Sequence, residues 1–106
     1  MTCLATTFAA LSDETRLAMM ERLMAVGELP AGDLVADASI SGPAVSRHLK
    51  VLRKAGLVTQ RAEGTKRLYS VRPEALQAVA GWTMDHKAFW QSGLERLDAL
   101  LAEETS

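Results

Sequence analysis

Cysteine is nearly absent from this sequence: Cys3 is the one thiol in the chain, so no internal disulfide can form and nothing points to an oxidising compartment. Long apolar runs are missing as well, since no stretch approaches the roughly 18 residues a membrane-spanning helix needs. The opening segment MTCLATTFAALSDE has no basic region ahead of its apolar residues. Neither a signal peptide nor an anchor is therefore expected, and the cytoplasm is the expected location. Internal repeats, low-complexity tracts and dividing linkers are not visible either. What remains is 106 residues, 48% hydrophobic and 24% charged, a length and composition that suit one ordered domain, residues 1–106, around one core.

The net charge of −1 hides an uneven distribution. Residues 1–40 hold two basic side chains (Arg16, Arg22) against six acidic ones, a balance of −4, and residues 73–106 repeat it with Lys87 and Arg96 against six. Between them, residues 41–72 carry Arg47, Lys50, Arg53, Lys54, Arg61, Lys66, Arg67 and Arg72 against Glu63 alone, a balance of +7. A basic block attracts phosphate by releasing condensed counterions, and acidic flanks help fix which face approaches a polyanion. The competing reading is a solvated charged face with no partner.

Periodicity orders the elements. Leu4, Phe8 and Leu11 recur at i, i+4 and i+7, and Ser12-Asp13-Glu14 offers a cap for a second helix, in which Leu17, Met20, Leu23 and Met24 point to the core and Gly27 supplies the end. Its methionines (Met19, Met20, Met24) suit core gaps better than a soft metal site. A short third helix follows Pro30, with Leu34 and Val35 inward, and after the turn Ser39-Ile40-Ser41 a fourth runs from a Ser41 cap to about Ala55, stopped by Gly56. The runs LVTQRAEG and TKRLYSV alternate around Glu63-Gly64-Thr65 and predict a β-hairpin over 58–71. Pro73 opens a fifth helix, and a sixth is expected after Gly81. The fold class is mainly α with a small β-hairpin: a winged helix-turn-helix in the order α-α-α-α-β-β-α-α.

In this arrangement the fourth helix fits a major groove and the hairpin is the wing. Val45, Leu49 and Leu52 take the inward stripe, which leaves Pro43, Ala44, Ser46, Arg47 and Lys50 outward. Arg47 can donate two bonds to guanine O6 and N7 or clamp a phosphate. Ser41, Gly42 and Ser46, with the free backbone donors of the helix start, suit phosphate oxygens. His48 points about 100° away from Arg47 and reads as a packing or phosphate-contacting histidine. On the hairpin, Thr65, Lys66 and Arg67 stand where side chains reach a minor groove or its phosphates, and Arg61 supports the same surface. Tyr69 covers the core side or directs its hydroxyl at phosphate.

The segments SDETRLAMMERLM, GDLV, AVSRHLKVLRKAGLV and EGTKRLYSV, occurring together and in order, resemble the ArsR/SmtB family of winged-helix repressors over nearly the whole chain. The resemblance implies a homodimer whose terminal helices, about 3–11 and 74–103, pack together. Each subunit would then place its recognition helix in one half of a near-palindromic operator. Apart from the resemblance, Leu4, Phe8, Trp82, Phe89, Trp90, Leu94, Leu97 and Leu101 exceed what so small a core needs and suit an interface, although the two tryptophans can also complete a monomer core. Metal-sensing members of the family carry a Cys-x-Cys near the third helix, where this chain has Leu29-Pro30-Ala31-Gly32-Asp33, or carboxylate and histidine ligands on the last helix, where it has only the adjacent Asp85 and His86. No metal and no cofactor are expected, and the inducer is unknown. Cys3 reads as a free, unreactive thiol, or as one that meets its copy in a dimer. An enzyme would need to use Ser46 with His48 or Asp85 with His86, and neither pair has usable geometry. The remaining alternative is a winged-helix protein–protein interaction module without specific DNA binding.

Overall fold

The computed structural model describes residues 3–105. Six helices and three strands follow one another as α1 (Leu4–Leu11), α2 (Glu14–Val26), β1 (Glu28–Pro30), α3 (Ala31–Asp37), α4 (Gly42–Lys54), β2 (Val58–Glu63), β3 (Lys66–Val71), α5 (Pro73–Asp85) and α6 (Lys87–Thr105).

Caps and glycines set the boundaries that position α4. Asp13 Oδ2 accepts from the Arg16 backbone N–H at 3.0 Å and opens α2, and this bond holds the Asp13 carboxyl below its ordinary pKa. Gly27, at φ 102°, ends the helix in a conformation closed to residues with a Cβ. Ser41 Oγ accepts from the Ala44 N–H at 3.3 Å to open α4. Arg53 and Lys54 occupy its last turn, where cations complement the helix dipole.

The core forms where α2, α4 and the sheet meet. Met20, Leu23, Leu49, Leu52 and Leu57 are fully buried, each contributing roughly 1.5–3 kcal/mol, and Val45 completes the inward stripe of α4. Leu17 and Met24, expected inward, are 43% and 50% exposed. Met20 and Leu23 are buried as expected, and Met19 joins them on the buried face, because α2 is packed on one side only.

The hairpin joins a three-stranded antiparallel sheet in the order β1-β3-β2. The extra strand pairs Glu28 with Ser70 and Leu29 with Tyr69. It is three residues long and ends on Pro30, which an edge strand tolerates because no donor is needed there. Gly64, at φ 62°, makes the tight turn of the wing. Gly81 does not separate the last two helices: α5 continues through it to Asp85, since an interior glycine costs only about 1 kcal/mol. The break falls at His86, whose Nδ1 donates to the Trp82 carbonyl at 2.7 Å.

The molecule measures 66 × 32 × 21 Å with a radius of gyration of 18.5 Å, against about 13 Å for a compact domain of this length. The excess comes from α6, along which Phe89, Trp90, Leu94, Leu97 and Leu101 are all more than half exposed.

Candidate nucleic-acid interface

Burial of Val45, Leu49 and Leu52 fixes the rotation of α4 about its axis. At about 100° per residue, Pro43, Arg47, Lys50 and Lys54 then share one outward stripe with Ser46 on its flank. Pro43, Ser46, Arg47 and Lys50 are exposed, and Gly42 and Ala44 are half-buried. Ser41 is exposed, with its hydroxyl engaged in the cap. Among the described residues no carboxylate lies within ion-pair distance of Arg47 or Lys50.

His48 lies between this face and the body of the protein. The Arg16 Nη1 donates to its Nδ1 at 3.2 Å, and Asp13 Oδ2 stands 3.9 Å from the same nitrogen. Arg16 also donates from Nε to the Ala10 carbonyl at 2.6 Å. A guanidinium has no acceptor, so Nδ1 accepts and the ring proton sits on Nε2. His48 is half-buried and joins α4 to α1 and α2. With Nδ1 occupied, it is not a base for Ser46.

On the wing, Thr65, Lys66 and Arg67 are exposed. The β2–β3 register places Lys66 opposite Glu63 and Arg67 opposite Ala62, so their side chains leave opposite faces of the hairpin. Arg61 is in a different state from Arg67. Its Nε and Nη2 donate to the two Glu28 carboxylate oxygens, each at 2.8 Å, and Nη2 also lies 2.9 Å from Glu63 Oε2. The Arg61 bond holds the Glu28 carboxyl below its ordinary pKa, and Glu28 in turn raises that of Arg61. Arg61 staples β2 to β1, with its charge matched by carboxylates. Tyr69 is buried on the core side.

Two residues outside the expected set belong to this region. Arg53, on the last turn of α4, and Arg67 converge on Gln60 of β2. The sequence signal for Arg53 was its position three residues after Lys50. Gln60 gave none beyond alternation with Val58.

Elsewhere, Cys3 is exposed at the start of α1, and the Thr6 backbone N–H draws its thiol below the ordinary pKa. Leu4 is half-buried, and Phe8 packs edge-on against Trp82 with ring centroids 5.8 Å apart. Trp82 is 42% exposed. Among the described residues no group of three His, Cys, Asp or Glu side chains is arranged to hold a metal ion, and no helix is long and apolar enough to cross a membrane.

Residues 13–60 match the family model for bacterial regulatory proteins of the arsR family. The chain is 44% identical over 95 residues to the HTH-type transcriptional regulator Rv2034 of Mycobacterium tuberculosis, covering 90% of this chain and 85% of that one. It is 35% identical to the arsenical resistance operon repressor of Escherichia coli, covering 89% and 78% respectively. In three dimensions it is similar to an ArsR-like transcriptional regulator from Rhodococcus sp. RHA1, with a TM-score of 0.73, 30% identity, and coverage of 92% of this chain and 91% of that one. The winged helix, the basic α4 and these relatives agree: the chain belongs to the ArsR family of DNA-binding transcriptional regulators and is not an enzyme.

Proposed function

We propose that this regulator is a homodimeric repressor that occupies a near-palindromic operator in the cytoplasm. Each subunit lays α4 in a major groove and its wing against the adjacent minor groove. The observation that carries this reading is the outward stripe of α4, where Arg47 and Lys50 stand exposed without carboxylate partners while Arg61, on the sheet, is neutralised by two. Cations left unmatched on a helix that fits a groove support contact with phosphate and base edges. Ser41, Gly42, Pro43, Ala44 and Ser46 bring the helix start to the backbone, and Thr65, Lys66 and Arg67 extend the contact at the wing.

The exposed face of α6 supports the dimer. Trp90, Leu94, Leu97 and Leu101 fall on one helical stripe, with Phe89 beside it, and all are exposed. An aromatic and leucine face of this length on one long helix suits an isologous contact with its own copy, and Leu4, Phe8 and Trp82 flank it at α1 and α5. Two-fold symmetry would set the recognition helices about 34 Å apart, one turn of duplex.

The test is selection of the purified full chain against a randomised duplex library. A near-palindromic site with half-sites one turn apart is expected. Enrichment of no sequence above salt-sensitive background would overturn the operator reading, and a single unpaired half-site would overturn the dimer.

A further inference from the structure

Gln60 occupies the junction between α4 and the wing. It pairs with Tyr69 across the β2–β3 ladder and shares the sheet face that carries the buried side chains of Val58 and Tyr69. Its neighbours orient its carboxamide. With the amide assigned so that both ends meet a complementary group, the nitrogen donates to the Tyr69 hydroxyl at 3.1 Å, while the oxygen accepts from Arg53 Nη1 at 3.0 Å, Arg53 Nη2 at 3.1 Å and Arg67 Nη1 at 3.3 Å. One neutral oxygen, anchored through a buried tyrosine, thus gathers two guanidiniums from different elements.

No carboxylate among the described residues lies within ion-pair distance of Arg53 or Arg67. Like charges held side by side repel, and an amide oxygen relieves that only in part. One residue along β2, Arg61 shows the other solution, two carboxylates on one guanidinium. Each guanidinium carries five N–H donors, so both exposed forks keep donors to spare after bonding Gln60. Two guanidiniums gathered at one place without a counter-charge, each with N–H donors left over, suit a phosphate diester in charge and hydrogen bonding.

We propose that Arg53 and Arg67 clamp one DNA-backbone phosphate between the recognition helix and the wing, with Gln60 as the residue that positions both. The inference rests on the DNA-binding reading above and names the group that this junction grips. By fixing the wing to the end of α4 on a shared phosphate, the clamp sets the angle at which α4 lies in the groove without itself reading sequence.

The full chain is titrated with a short random-sequence duplex at several salt concentrations, with thermal unfolding recorded in parallel. Gln60→Glu keeps the side chain's length but gives both guanidiniums a carboxylate. It is expected to leave Tm unchanged or raised while duplex affinity falls about tenfold and the slope of log K against log[salt] becomes shallower by about 0.9, one phosphate. A residue needed only for folding would lower both readouts together. Thr59→Glu adds the same charge on the opposite, exposed face of β2 and is expected to change affinity less than about threefold. Arg53→Ala and Arg67→Ala are each expected to lose the same increment of slope, and the double variant to lose little more than either alone, because the two act as a unit. Equal losses in Gln60→Glu and Thr59→Glu, or an Arg53→Ala protein that binds as tightly and as steeply as the unsubstituted chain, would overturn the clamp and leave DNA binding intact. Absence of salt-dependent duplex binding by the unsubstituted chain would overturn both.

Discussion

The guanidinium of Arg16 and the imidazole of His48 meet at 3.2 Å across 32 positions of sequence. This bond ties the face of the recognition helix to the start of α2, and through the Ala10 carbonyl to α1. Arg16→Ala removes it together with two bonds to backbone carbonyls. Chemical denaturation is expected to show a loss of roughly 1–2 kcal/mol, with weaker duplex binding because α4 loses a support. Arg16→Lys should recover only part of this, since a single ammonium cannot serve His48 and α1 through a planar fork.

The Glu28–Arg61 bond gives the sheet an acid-sensitive element. A carboxylate whose folded-state pKa is lowered adds stability that is fully present above the ordinary carboxylate value and is lost as pH falls through the folded value. Glu28 is such a group, and so is Asp13 at the start of α2. Both lie at the surface, so solvent screening keeps the effect modest. Glu28→Gln is expected to flatten the acid limb of a stability–pH profile while leaving stability at pH 9 lowered, as followed by thermal unfolding. An unchanged acid limb would show that the staple adds nothing.

Arg61 and Arg67 lie on the same hairpin and are expected to behave differently toward DNA. Arg61→Ala should leave the salt dependence of duplex binding near its original slope, because that charge is matched by Glu28 and Glu63. Arg67→Ala should make it shallower by about 0.9. Titration of both variants at matched salt decides between a clamp of specific geometry and a diffuse basic surface.

Trp90 and Leu97 mark the centre of the exposed face of α6. On the proposed dimer, replacing both with glutamate should leave a monomer in sedimentation and weaken binding to a two-half-site duplex by at least about a hundredfold, since the second half-site no longer binds as part of one molecule. Binding to a single half-site should change far less.

Much of the scaffold of the candidate interface was legible in the sequence because it depends on local periodicity. The inward stripe of Val45, Leu49 and Leu52, the Ser41 cap and the Gly64 turn are each set by neighbours a few residues apart. What escaped depends on distant partners. β1 is three residues whose ladder lies some forty positions away in β3, with no alternation of its own to announce it. The capture of Arg61 by Glu28 and the convergence of Arg53 and Arg67 on Gln60 follow from strand register, which composition does not reveal. Leu17 and Met24 had the right spacing for burial beside Met20 and Leu23, but too little protein surrounds α2 to cover the edges of the stripe. Gly81 looked like a boundary and was absorbed into α5, where an interior glycine costs only about 1 kcal/mol.

The central claim is that α4 presents Arg47 and Lys50 to the groove. Its most direct test is a comparison of the unsubstituted chain with Arg47→Ala and Lys50→Ala on one selected duplex and on its single-base variants, at two salt concentrations. Lys50→Ala should weaken all duplexes about equally and make the salt slope shallower by about 0.9. Arg47→Ala should cost roughly 1–3 kcal/mol, and it should either relax preference at one base pair, as a base-reading residue does, or behave like Lys50 as a phosphate contact. Affinity, preference and salt slope all unchanged in both variants would contradict the placement of α4 in the groove.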